Sequence, residues 1–208
     1  MKKEETTGAG MRSMKKLSFK ERMSAKRLAL MAVFVALSYA VSFLEIPLPL
    51  FGAEFLKLDF GNVFIVLISF LLGPLEGVLV CLLKEGLRLF TTTSGGAGEL
   101  ANFIVTGSYL LLPSILYQFR KGLKSVCLSL SCACVIATGA ALLVNRFLVF
   151  PAYAWVLGGS IFGMTVAKAF SVFFVALLIF NFIKTVAIAV LTLLLYKRLS
   201  NFIKKMKI

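Results

Sequence analysis

Long apolar runs separated by short polar segments dominate the chain after residue 27. Such runs predict membrane-spanning helices, because an α-helix crosses a bilayer with about 20 predominantly apolar residues. Six spans are predicted, at residues 28–46, 58–72, 75–90, 99–118, 125–145 and 178–197. The pattern therefore indicates an all-α fold, an integral membrane bundle of six transmembrane helices.

Proline, glycine and polar residues mark the segments between the spans. Loops are expected at residues 47–57, 91–98 and 146–163, because each begins with or contains helix-breaking or turn-forming residues. The last apolar stretch is longer than one crossing requires. Counting back from Lys197 places its outer end near Leu178, although a helix that begins near Lys168 and protrudes from the membrane is also compatible.

Composition and charge define the class and the orientation. Of 208 residues, 60% are hydrophobic and 15% are charged, whereas a soluble domain carries about 25% charged residues. The net charge of +14 arises mainly from 17 of the 23 Lys and Arg, which lie in residues 1–27, 120–124 and 197–208. Such clusters mark the cytoplasmic side and contact anionic lipid headgroups. Both termini are therefore predicted to be cytoplasmic, and nucleic acid is not expected as a partner.

These boundaries predict three regions along the chain. Residues 1–27 form a basic cytoplasmic segment, residues 28–199 form the membrane domain, and residues 200–208 form a basic cytoplasmic tail. The first 27 residues are too polar for a cleavable signal peptide, so the first helix is expected to be retained.

Polar residues at membrane depth are the candidate ligand-binding groups. Asn181 and Lys184 share one helix face, Asn145 ends the fifth span on the same outer side, and Tyr153 lies in the adjacent aromatic segment with Phe147, Phe150 and Trp155. Amides, one cation and aromatic rings suit a flat heteroaromatic ligand with a polar edge. The alternative is that Lys184 reaches the membrane surface or pairs with a carboxylate such as Glu99.

Two further polar groups have competing interpretations. Glu99 and Asn102 open the fourth span, where they contact a ligand or stabilise the helix terminus. Lys84, Glu85 and Arg88 are expected to form an internal ion network, with ligand contact as the alternative. The segment 57–59 is expected to hold the loop at residues 47–57, which would then be the natural lid.

Several kinds of chemistry are disfavoured. The chain has no histidine, its four cysteines lack the usual zinc spacing and are expected to pack between helices, and no phosphate-binding loop occurs. Neither a metal site nor an ATPase is therefore predicted, and ATP-driven transport would need another chain. Ala32, Ala36 and Ala40 form a small-residue face, which is typical of close helix contact, internal or with another membrane subunit.

The order of several motifs resembles the riboflavin-specific substrate-binding (S) components of energy-coupling factor (ECF) vitamin transporters. The motifs are residues 55–60 (FLKLDF), 73–78 (GPLEGV), 98–103 (GELANF), Asn145 with 151–153 (PAY), and 181–184 (NFIK) running to 195–199 (LYKRL). The chain departs from the family pattern at Gly61, Asn62 and Phe64, and at residues 179–180, where the family often has proline.

The resemblance implies a six-helix vitamin-capture protein in a prokaryotic cell membrane. Its partners would be a transmembrane T subunit, which docks on Ala32, Ala36 and Ala40, and two cytoplasmic ATPases. Asn145, Asn181 and Lys184 would contact riboflavin as the transported ligand, with no cofactor and no enzymatic activity. The alternatives are an S component for another vitamin or flavin-like solute, a membrane-embedded lipid-modifying enzyme that uses Glu85, Glu99 and Lys84, and a membrane scaffold that binds only another subunit.

Overall fold

The computed structural model describes residues 24–48, 56–92, 94–120, 122–156, 158–161 and 163–205, with side chains as far as Tyr196. The α-helices are α1 (Ala25–Ser42), α2 (Asn62–Leu72), α3 (Pro74–Arg88), α4 (Ala97–Phe119), α5 (Leu123–Val144), α6 (Phe150–Val156) and α7 (Val166–Lys205). Two short strands, β1 (Ile46–Pro47) and β2 (Lys57–Leu58), form an antiparallel hairpin stem. Most of the predicted basic segment 1–27, much of the loop 47–57 and the end of the tail lie outside the described residues.

Four of the described helical segments are long and apolar enough to cross a membrane. They are Ala25–Ser42, Ala97–Phe119, Leu123–Val156 and Val166–Tyr196. The helix α2 is apolar but has only 11 residues, and α3 carries Glu76, Lys84, Glu85 and Arg88. The predicted helical membrane bundle is therefore confirmed, with two of its helices shorter or more polar than the others.

The short helix α2 lies at the centre of the bundle, and nearly all of its residues are buried. Its neighbour α3 approaches closely where Gly77 faces Ser69, because a Cβ added to Gly77 would lie 2.4 Å from the Ser69 Cβ. The missing side chain of Gly77 thus allows the two helices to pack closely, as small residues do in membrane proteins.

Contacts at both ends of α1 fix the first three helices relative to each other. At one end, Arg27 Nη2 donates to the carbonyl oxygen of Leu72 at 2.9 Å and to Glu76 Oε1 at 3.0 Å. At the other end, Ser38 Oγ donates to the carbonyl oxygen of Gly61 at 2.8 Å. We call these the Arg27 end and the hairpin end of the bundle. Because α2 begins near one and finishes at the other, α2 and α3 run between the two ends of α1.

The predicted loop at residues 146–163 is wrong in its first half. A π-helical turn, Asn145–Val149, connects α5 to α6, so the helix continues to Val156. Pro151 lies two residues after the π-helical turn, where the hydrogen-bond pattern of the helix is already altered. The buried ring of Phe150 stacks on Phe173 with 6.3 Å between centroids, and this packing against α7 favours the helical path.

Other predicted boundaries also shift. The helix α7 begins at Val166, so the alternative of a start near residue 168 is the better one, and the first span ends at Ser42 instead of residue 46. The cysteines divide into two groups: Cys81 and Cys134 are buried, whereas Cys127 and Cys132 are exposed. The expectation that all four pack between helices is therefore wrong for the exposed pair.

Candidate functional site

A cavity of about 480 Å³ occupies the hairpin end of the bundle. Its walls come from the hairpin, α3, α4, the π-helical turn, α6 and α7. All six residues predicted to bind a ligand line this cavity, namely Glu99, Asn102, Asn145, Tyr153, Asn181 and Lys184. The tertiary structure thus brings together side chains that lie as far as 85 positions apart in the sequence.

Two asparagines have the same local geometry on different walls of the cavity. Asn181 Nδ2 donates to the Leu177 carbonyl oxygen at 2.8 Å, and Asn145 Nδ2 donates to the Ala141 carbonyl oxygen at 2.7 Å. Each bond runs one turn back along the asparagine's own helix and fixes the amide. The amide oxygen of each residue makes no hydrogen bond to the described part of the chain, so each has acceptor capacity left at the cavity wall.

Lys184 lies one turn beyond Asn181 on α7. Its ammonium donates to Asn102 Oδ1 on α4 at 2.8 Å. The predicted alternative, an ion pair with Glu99, is not among the ion pairs of the described residues, and Glu99 Oε2 instead accepts from Ser94 Oγ at 2.7 Å. Among the described residues, the ion pairs do not include Lys184. A cation with unused donors therefore borders the cavity.

A buried ion cluster lies behind the Lys184 wall. The fully buried Lys84 donates to Asp59 and, at 2.6 Å, to Glu85 Oε1, and it lies 3.3 Å from Asn62 Oδ1. Asp59 Oδ1 also accepts from the backbone N–H of Gly61 at 2.8 Å. The predicted internal network therefore exists for Lys84 and Glu85, and it includes Asp59, which sequence reasoning had placed in the lid support.

Arg88 belongs to a second group, at the mouth of the cavity. Glu45 accepts from Lys57 Nζ at 2.7 Å and from Arg88 Nη2 at 3.0 Å, and Arg88 Nη1 donates to the Ser42 carbonyl oxygen at 2.9 Å. Partial burial alone would raise the pKa of Glu45, but hydrogen bonds from Lys57 and Arg88 outweigh it and hold this pKa below its ordinary value. Glu45 thus connects the end of α1 with β2 and the end of α3.

The apolar part of the cavity differs from the sequence expectation. Phe150 and Tyr153 line it, together with Leu56, Val105, Val149, Ile161 and Phe180. Phe147 and Trp155 are 74% and 85% exposed and do not line it. Phe150 had been named with the aromatic segment, whereas Phe180 had not. Phe180 lies one helical turn before Lys184 and could have been identified by that spacing, but no local signal indicates Ile161.

The three alanines of α1 are exposed on the outside of the bundle. Ala32, Ala36 and Ala40 therefore do not form a close helix contact within the described part of the chain. The sequence left two interpretations open, contact with another helix of this chain and contact with another subunit. The first is wrong for the helices that the structure describes. The small side chains of the three alanines form a shallow strip on the exposed face of α1.

The fold and the cavity together define a class: a helical membrane protein with an interior cavity of a size suited to a small solute. Residues 26–196 match the family model for the substrate-specific component of ECF transporters. A riboflavin transporter from Staphylococcus aureus, RibU, is 32% identical over 86% of this chain and 93% of its own length. A Bacillus subtilis riboflavin transporter, FmnP, is 26% identical over 89% of this chain and 97% of its own length.

A solved structure has the same fold. It is described as the S component of a bacterial ECF transporter, superposes with a TM-score of 0.72, and is 30% identical over 86% of this chain and 98% of that one. The chain belongs to the substrate-specific components of ECF transporters. It is a multi-pass membrane protein of a prokaryotic cell and a transport component, not an enzyme. The lipid-modifying enzyme considered from the sequence is thereby set aside.

Proposed function

We propose that this chain is the high-affinity riboflavin-binding subunit of an ATP-driven ECF-type vitamin importer. Two relatives that match most of its length are named riboflavin transporters, and residues 26–196 match the S-component family. Riboflavin is the transported ligand in this proposal, and no cofactor takes part. Another vitamin or flavin-like solute is the alternative that the binding experiment below distinguishes.

The observation that carries the proposal is the composition of the cavity wall. Its volume of about 480 Å³ is in the usual range for small-molecule sites, about 300–1,000 Å³. The isoalloxazine ring is flat, and its polar edge carries carbonyl oxygens and an N–H group. Two fixed amide oxygens, from Asn145 and Asn181, and the free donors of Lys184 complement such an edge.

The remaining site residues have different proposed roles. The ring of Tyr153 and the neighbouring Phe150 provide apolar surface for the flavin ring. Glu99 and Asn102 provide acceptors and donors that match the hydroxyl groups of the ribityl chain. Glu99 and Asn102 already have hydrogen-bond partners within the protein. The ligand therefore adds hydrogen bonds to groups that are not left unpaired in its absence.

We further propose six membrane crossings with both termini in the cytoplasm. The four long helical segments provide four crossings, and α2 and α3 provide two more because they run between the ends of α1. The clusters of Lys and Arg favour a cytoplasmic Arg27 end. The cavity then opens outwards, residues 28–199 form the substrate-binding domain, and residues 1–27 and 200–208 are basic cytoplasmic segments that contact lipid headgroups.

The proposed partners are a transmembrane T subunit and two cytoplasmic ATPases. The sequence contains no phosphate-binding loop, so ATP hydrolysis requires other chains. The exposed strip of Ala32, Ala36 and Ala40 is the proposed docking face, because small side chains let another helix approach closely within a bilayer. A self-sufficient carrier is not proposed, and liposomes that contain only this chain should show no uptake.

Equilibrium dialysis of the detergent-purified chain against riboflavin tests the binding function. We expect a dissociation constant well below about 1 µM, which corresponds to about −8 kcal/mol. Lys184→Ala and Asn181→Ala should each weaken binding by about 1–3 kcal/mol, since each leaves a ligand group unpaired. Phe147→Ala is the matched control outside the cavity and should bind as the wild type does.

Three results would overturn the proposal or a part of it. Absence of riboflavin binding by folded wild-type protein would reject the function. Unchanged affinity in both the Lys184 and the Asn181 variants would reject the site. If the chain binds a different flat vitamin more tightly than riboflavin, that vitamin is the ligand and the riboflavin assignment is wrong.

A further inference from the structure

Asn102 stands between the cavity lysine and the buried ion cluster. Its Oδ1 accepts from Lys184 Nζ at 2.8 Å, and its Nδ2 donates to Glu85 Oε1. The same Glu85 oxygen accepts from Lys84 Nζ at 2.6 Å. A hydrogen-bonded path therefore runs from the cavity through a single amide to a buried carboxylate.

Glu85 helps to determine which end of the Asn102 amide faces Lys184, together with Asn62, whose Nδ2 donates to Asn102 Oδ1 at 3.1 Å. An amide has one donor end and one acceptor end, and its orientation follows from its hydrogen-bond partners. The reverse orientation would place the amide oxygen against the Glu85 carboxylate and the NH₂ group against the Lys184 ammonium. Glu85 is 4% exposed, so water does little to screen the first of these repulsions.

The two lysines of this region have unequal partners. Lys84 contacts both carboxylates of the cluster, Asp59 and Glu85. Lys184 forms no ion pair with a carboxylate of the described residues, and its hydrogen-bonded route to Glu85 passes through the neutral amide of Asn102. An ammonium has three donors, so Lys184 keeps donors for a ligand that need not displace a carboxylate.

We propose that Glu85 is a positioning residue for ligand capture that acts on Lys184 through Asn102. Its carboxylate orients the Asn102 amide, and the amide oxygen holds the Lys184 ammonium towards the cavity. This inference rests on the proposed riboflavin-binding function. Glu85 also borders the cavity, so direct contact with the ligand is the competing explanation that the experiment must separate.

A double-mutant cycle on riboflavin binding separates the two explanations. Glu85→Gln keeps the size of the side chain but removes its charge, and glutamine can present either end of its own amide to Asn102. We expect E85Q to raise the riboflavin dissociation constant about tenfold when Lys184 is present, as for loss of one hydrogen bond to a charged group. With Lys184→Met already in place, E85Q should raise it by less than about twofold.

Two outcomes would overturn the inference. An equal effect of E85Q in both backgrounds would mean that Glu85 acts independently of Lys184, as in direct ligand contact or general destabilisation. No effect of E85Q beside an intact Lys184 would mean that the charge of Glu85 does not position Lys184 for binding. Failure of the folded wild-type protein to bind riboflavin would instead reject the proposed function, so the two failures are distinguishable.

Glu76→Gln is the matched control for loss of a buried carboxylate. Glu76 is 3% exposed and pairs with Arg27 at the opposite end of the bundle, so E76Q should not couple to Lys184→Met. Thermal unfolding of each ligand-free variant reports on folding. If E85Q does not fold, Glu85→Asp takes its place in the same cycle, because it keeps the charge but shortens the reach to Asn102, and the same two outcomes apply.

Discussion

The ammonium of Lys84, in the middle of α3, contacts the carboxylate of Asp59, which directly follows β2 of the hairpin. This ion pair connects the interior of the bundle with the segment that borders the mouth of the cavity. Lys84 is fully buried, and its other carboxylate partner is Glu85. A buried cation between two carboxylates leaves two uncompensated charges when it is removed.

Replacing Lys84 by Met should therefore be severely destabilising. We expect a loss of about 3–5 kcal/mol in the free energy of unfolding, since Asp59 and Glu85 would remain buried without their common cation. Lys57→Met is the matched control, because the Lys57 side chain is 41% exposed and such a pair contributes about 0.2–1 kcal/mol. Denaturant unfolding in detergent measures both, and equal small losses would contradict the structural role of Lys84.

Two glycines of α3 provide a test of the close contact between α2 and α3. Gly77→Ala should destabilise the protein by about 1–3 kcal/mol, because its new Cβ would overlap Ser69. A Cβ at Gly86 meets nothing within 4 Å, and Gly86→Ala should be neutral or stabilising by about 0.5–1 kcal/mol. Thermal unfolding of both variants is the measurement, and the same sign of effect in both would contradict the described packing.

The Glu45 bridge at the cavity mouth should respond to pH. The folded-state pKa of Glu45 is lowered, mainly because hydrogen bonds from Lys57 and Arg88 outweigh partial burial. Its contribution to stability is therefore present at neutral pH and is lost as the pH falls through the lowered folded-state value. Wild-type protein should exceed Glu45→Gln in stability by about 0.2–1 kcal/mol at pH 7, and the difference should vanish in acid. A difference that grows on acidification would contradict this.

The alanine strip predicts a separation of binding from assembly. Ala36→Leu should weaken co-purification with the T subunit, since a larger side chain on the strip prevents close helix approach, while riboflavin affinity stays unchanged. Cys132→Leu, at an exposed position of α5, makes a similar change on another face and should assemble normally. Equal assembly of both variants would place the docking face elsewhere.

Much of the helical fold could be predicted because apolar runs have a length that a bilayer dictates. The continuation of the helix beyond Asn145 could not be predicted from local residues. Pro151 and the aromatic segment are typical of a loop, but packing of Phe150 on Phe173 across the bundle favours a helix. Tertiary contact of this kind outweighs local propensity.

The candidate site was predictable for a related reason. Polar groups at membrane depth are energetically unfavourable unless they have a function or partners. This singled out Asn181 and Lys184 as candidate ligand-binding residues and Glu85 as a member of an internal ion network. Their mutual arrangement was not predictable. The link from Lys184 to Asn102 joins residues 82 positions apart, and the contact of Asp59 with Lys84 depends on how α3 packs beside the hairpin.

The most direct test of riboflavin capture is the absorbance spectrum of the chain purified in detergent from cells supplied with riboflavin. The account predicts a flavin spectrum with close to one flavin per chain and quenched flavin fluorescence. The Lys184→Ala and Asn181→Ala variants, prepared in the same way, should carry less flavin than Phe147→Ala. Folded wild-type protein that carries no flavin and gains none on addition of riboflavin would contradict the account.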